Sequence, residues 1–130
     1  MRKFMRVLIV GLFCLCTSAK SSELSDVSMV QLISNPQQYD GKPIRLIAFL
    51  NLEFEGNALY LHREDFDKSI LSNAVWISLD DQQLRASRKL SKGYVLVEGI
   101  FNAKDRGHFG MFSGSIERVT RLQSWERKKK

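Results

Sequence analysis

Phe49, Tyr60 and Trp76 stand in three separate apolar stretches, and Lys104, Arg106, His108 and Phe109 crowd into one glycine-containing run, residues 104–110. Aromatic rings interleaved with cations are what stacking plus electrostatic capture of a strand of nucleotides requires. Glu53, Glu55, Glu64, Asp65 and Asp67 gather in the neighbouring segments and oppose a positive groove. Aromatic residues also cover sheet edges, so these seven positions have a structural reading beside the ligand-binding one.

Other chemistries find less support. His62 with Glu64 and Asp65 offers nitrogen and oxygen donors to a metal ion, but their spacing matches no metal motif. His108 has no partnered serine or cysteine nucleophile and reads as a contact residue. Asp80 and Asp81 adjoin an expected helix start, where two carboxylates complement the helix dipole. No catalytic residue, metal ligand or cofactor is assigned.

The ends of the chain change what composition means. Arg2, Lys3 and Arg6 precede an apolar run, residues 7–16, and Thr17-Ser18-Ala19 supply small residues for cleavage. That is the pattern of a secretory signal peptide over residues 1–19. The run is too short for a hydrocarbon core that needs about 20 residues, so no transmembrane segment is expected after its removal. Cys14 and Cys16 both lie in it, so the exported chain has no thiol for a disulfide or a nucleophile. Phe13 and Leu15 precede them where a lipid anchor needs a small residue, which argues for a periplasmic or secreted protein without one.

The formal charge of +6 rests on 20 basic and 14 acidic residues. Three of the cations are in the leader, and Arg127, Lys128, Lys129 and Lys130 close the chain. Without both ends 13 basic residues face 14 acidic ones, a net of −1. A high pI usually points to nucleic acid or an anionic surface. Here that signal lies in the ends rather than in the body.

The elements that must position the candidate side chains follow from periodicity. Residues 20–26 read as a flexible start, 27–122 as one domain and 123–130 as a basic tail. Val27, Val30, Leu32 and Ile33 suit a short helix capped by Ser25 or Asp26 and ended by Pro36, with a turn over 35–42. From Ile44 to Phe54 apolar residues alternate, predicting one long bendable strand. A turn at 55–57 returns the chain through a second strand, 58–62. A third strand is expected over 74–79, a helix over 80–90, a fourth strand over 94–103 and a fifth over 111–122, with Gly114 a bulge or bend. Residues 63–73 read as irregular, with one helical turn. Five strands with a helix between the third and fourth predict a mostly β, OB-fold-like barrel with a short N-terminal helix.

Asn35-Pro36, Tyr39-Asp40-Gly41-Lys42, Ile44-Arg45-Leu46 and Gly93-Tyr94-Val95-Leu96-Val97-Glu98-Gly99 resemble small exported bacterial OB-fold proteins, the tRNA-anticodon-binding-like group. In that group an NPxxYDGK segment leads into the first strand and a KGxxVxVxG segment opens the fourth. The stretch from Phe54 to Asp65, FEGNALYLHRED, looks like a signature of one uncharacterised branch, and Ala48 departs where the group often has glycine. The resemblance implies the fold and a site on the exposed face of the central strands, framed by loops 55–57 and 104–110. It implies no nucleic-acid role for exported members. The expected function is a non-enzymatic binding module for a protein, peptide or glycan partner. The alternatives are anionic-polymer or nucleic-acid binding through the tail and second loop, and metal chemistry at His62.

Overall fold

A computed structural model of the chain describes residues 21–127. Residues 1–20, which hold the expected leader, and 128–130 of the basic end lie outside the described residues.

Ser25–Asp26 form a two-residue strand, β1, parallel to the start of β2 (Pro43–Asn51), with Asp26 opposite Arg45. Val27 N–H continues this ladder by donating to Arg45 C=O at 3.0 Å. The chain therefore stays extended longer than expected, and helix α1 (Met29–Ser34) is capped by Ser28 rather than by Ser25 or Asp26. Gln31 N–H donates to Ser28 Oγ at 3.1 Å and Ser28 N–H to Gln31 Oε1 at 2.8 Å, a reciprocal capping box. Pro36 follows the end of α1 and also opens a one-turn helix, α2 (Pro36–Tyr39), where a missing N–H leaves no bond unmade.

β2 pairs antiparallel with β3 (Ala58–Tyr60) through its last residues and with β5 (Gly93–Asn102) along almost its whole length. β3 pairs with β4 (Ala74–Ile77), β4 runs parallel to β6 (Ser115–Ser124), and β6 returns antiparallel to β5. The ring β2–β3–β4–β6–β5 closes on β2, leaving β1 as an extra strand at its rim. Helix α3 (Arg63–Asp67) lies between β3 and β4, and α4 (Asp81–Ser87) between β4 and β5. The five-stranded OB-fold-like barrel expected from the element order is the fold of the described residues.

Strand ends differ from the periodic reading because side chains capture main-chain groups. β2 stops at Asn51: Leu52 N–H donates to Ser91 Oγ at 2.8 Å and Glu53 N–H to Asn57 Oδ1 at 3.1 Å. Phe54, expected on the core face, is 91% exposed in the turn that follows. β3 stops at Tyr60 rather than His62, because His62 N–H turns to Asp65 Oδ2 at 3.0 Å. β6 begins at Ser115, after Gly114 at φ +125°, where a Cβ would come within 2.6 Å of the Phe101 ring.

Alternation sorts the side chains into two clusters. Ile44, Leu46, Ala48 and Leu50 join Leu59, Val75, Ile77, Val95, Val97, Phe101 and Ile116 inside the barrel, with Met29 and Leu32 of α1 in the same cluster. The odd-numbered neighbours on β2 and the matching residues of β3 and β4 face away from that core. There Phe49, Ala58, Tyr60, Ala74 and Phe112 form a second buried cluster, with Phe66, Leu71, Trp76 and Tyr94 packed against it.

Candidate functional site

Phe49, Tyr60 and Trp76 do share the outward face of β2, β3 and β4, as the alternation predicts. That face is covered. Phe66 of α3 lies 5.8 Å from the Phe49 ring and 5.4 Å from the Tyr60 ring, and Tyr94 of β5 meets Phe49 edge-on at 5.5 Å. Phe49 is 1% and Tyr60 4% exposed. Burial, with the nearby Glu53 charge adding to it, pushes the Tyr60 hydroxyl above its ordinary range. Arg63 and Lys92 stand over this cluster, Cζ at 5.3 Å from the Phe49 ring centre and Nζ at 3.7 Å from that of Phe66. These aromatic faces are spent on one another and on two cations.

Trp76 is half-buried beneath Phe112, its ring edge-on at 5.5 Å. Gly107, at φ +65°, makes that contact possible, since a Cβ there would come to 2.8 Å from Trp76 and 2.9 Å from Phe112. The second-loop candidates scatter around this anchor. Lys104 and Arg106 are exposed, and Arg106 Nε donates to Phe112 C=O at 2.8 Å. His108 Nε2 lies 3.4 Å from Glu55 Oε2, joining the two loops that were expected to frame a site. Phe109 stacks its ring 4.0 Å from that of His108 at φ +55° and is 83% exposed. The two loops therefore meet, and a hollow of about 220 Å³ between them brings Tyr60, His108 and Phe109 together, while Phe49 is sealed below.

A wider hollow lies elsewhere, a groove of about 550 Å³ where β2 emerges between β1 and β3. Ile47 and Leu96, opposite each other on β2 and β5, stand on its floor. Val27 and Met29 wall one side, Leu61 and Tyr94 the other. Its polar groups are few and sit at the margins: Asp26, Ser28, Gln31, Arg45 and His62. Arg45 is held there by Glu98, Nε to Oε1 at 2.7 Å, and by Asp26, Nη1 to Oδ1 at 3.3 Å. Arg121 Nη1 reaches the same Glu98 oxygen at 3.1 Å. The Arg45 hydrogen bond, aided by Arg121, holds the Glu98 carboxyl below its ordinary range.

None of the seven sequence candidates lines this groove. Its one visible signal was Ile47, an apolar residue on the otherwise mixed face of the first strand. Only the pairing of β2 with β5 brings Leu96 beside it, and only the short β1, which periodicity did not reveal, sets Val27 against β2 as a wall.

Of the donors weighed for a metal, Asp65 has another occupation: it accepts from His62 N–H and from Asn73 Nδ2 at 2.8 Å. Among the described residues no three His, Cys, Asp or Glu side chains converge as a ligand set. Nor is any described helix long and apolar enough to cross a membrane. Compared with protein-family models, curated proteins and solved structures, the chain finds no match.

Proposed function

We propose that this protein is an exported, non-enzymatic binding module that holds an apolar segment of a protein or peptide partner in the groove between β1 and β3. The observation that carries the reading is the groove itself. Its volume of about 550 Å³ falls within the range of about 300–1,000 Å³ usual for ligand sites, and its lining is apolar with polar groups at the rim. That chemistry favours an apolar peptide segment over a glycan, whose hydroxyls would find few partners on Ile47, Leu96, Val27 and Met29.

Three further observations support it. The leader pattern of residues 1–19 and the resemblance to exported OB-fold proteins both argue for a role outside the cytoplasm. The aromatic face on which a strand of bases would stack is packed by Phe66, Tyr94 and Phe112. The body without leader and tail carries a net charge of −1.

The test is selection of displayed random peptides on the full chain. Selected peptides should be rich in apolar residues, and Ile47→Glu should weaken them at least about tenfold, the loss of one well-buried apolar contact. Phe109→Ala should leave them unchanged. Binders that ignore Ile47→Glu and depend on Phe109 would overturn the reading and move the site to the loops.

A further inference from the structure

The main chain of β2 adds something to the groove that its volume does not convey. A strand directs the N–H and C=O of successive residues to opposite edges. Phe101 N–H donates to Lys42 C=O at 3.1 Å, which fixes the even-numbered residues Ile44, Leu46, Ala48 and Leu50 as those facing β5. Val27 N–H donating to Arg45 C=O fixes the odd-numbered ones as facing β1 and β3. β1 satisfies Arg45, and β3 pairs with Phe49 and Asn51. Ile47 lies between them.

Neither neighbour reaches it. Val27, next along from β1, leaves the ladder to enter the Ser28 cap, and the Val27–Leu46 pairing that would engage Ile47 N–H is not formed. On the other side Ile47 would meet His62, but His62 N–H is taken by Asp65 Oδ2 and its C=O by Phe66 N–H at 3.4 Å. Among the described residues Ile47 thus presents one unpaired main-chain donor and acceptor to the groove, beside its own side chain, which is 42% exposed.

We propose that the segment bound here pairs its main chain with Ile47, one residue of the partner accepting from Ile47 N–H and donating to Ile47 C=O. This rests on the groove reading above and specifies its partner. The window from Arg45 to Phe49 is about 13 Å of strand at about 3.3 Å per residue, and β1 and β3 occupy the same edge on either side. Val27, bonded to Arg45, and Leu61, following Tyr60, take the places opposite Leu46 and Ala48, so the window admits one residue of a partner main chain that enters and leaves the edge there, not an added strand. The paired residue lays its side chain beside Ile47 and Leu96, and its two neighbours turn out of the edge past Val27 and Leu61. The recognised feature is therefore one apolar residue between apolar neighbours, read by one pair of main-chain bonds.

The probes are capped heptapeptides with a central run of three alanines, three valines or three leucines, titrated into the full chain as the cell delivers it and followed by amide NMR. At least one should shift the amides of Ile47, Leu96 and Leu61 and slow hydrogen exchange at Ile47 by about threefold or more. N-methylation of its central residue should weaken it about tenfold, whereas N-methylation of its last residue should not. Ile47→Pro removes the free N–H while leaving the β5 ladder intact, and should abolish binding that Ile47→Val retains. Shifts at Leu96 and Leu61 without protection of Ile47, or indifference to central N-methylation, would overturn the main-chain pairing and leave the groove reading standing. No shift at any of the three amides with any probe would overturn both.

Discussion

Phe66 lies across Phe49, ring centres 5.8 Å apart, and so fastens α3 over the face of the barrel where an OB-fold would receive its ligand. Phe66 enters through the connection between β3 and β4, and Phe112 covers the other end. The same sheet positions that could stack a base are thereby converted into a second core.

This makes Phe49 a stability residue. Phe49→Ala should cost about 3–5 kcal/mol, the range for a buried phenylalanine, whereas Phe109→Ala at an exposed position should stay within about 0.5 kcal/mol. Denaturant unfolding of both variants checks the contrast. Equal, small effects would mean that the aromatic face is open in solution.

The two glycines of the loop 104–110 separate crowding from backbone strain. Both have φ +65°, but a Cβ at Gly107 meets Trp76 and Phe112 below 3.0 Å and one at Gly110 meets nothing within 4 Å. Gly110→Ala should cost about 1–2 kcal/mol from backbone conformation alone. Gly107→Ala should cost about 1–3 kcal/mol more. The comparison is of unfolding free energies, and near-identical values would remove the Trp76–Phe112 lock.

Acid should act through Glu98. Its folded-state value lies below the ordinary 4.5, chiefly because Arg45 donates to it. A depressed carboxylate binds fewer protons folded than unfolded, so its contribution is fully present above pH 4.5 and is lost as pH falls through the folded value. Glu98→Gln should lower the melting temperature at neutral pH and flatten its fall below pH 4.5. An unchanged acid slope in the variant would show that other groups carry it.

Retention of single-stranded DNA offers a check on the basic end. Without an open stacking face, weak retention at about 50 mM salt should disappear when residues 127–130 are removed. Retention that survives this deletion, measured by fluorescence anisotropy, would revive the reading through Lys104 and Arg106.

Much of the barrel was legible in the chain. The alternation from Ile44 to Leu50 and the element order state which residues face the core, because burial of one face of a strand leaves a period of two in the residue types. Strand ends were less legible: Ser91 captures Leu52 N–H from far along the chain, and Asn57 and Asp65 capture Glu53 and His62 through local turns that the strand period does not register.

The sequence alone determined the signal-like patterning of residues 1–19, the near-neutral charge of the body and the OB-like order of its strands, all properties of composition and short-range periodicity. Tertiary structure decided which surface stays open. The covering of Phe49 by Phe66 and the placing of Leu96 beside Ile47 both depend on pairs far apart in the chain. The unpaired edge at Ile47 depends on where β1 and His62 stop. Periodicity tells which way a side chain points; only the closed sheet settles what lies opposite it.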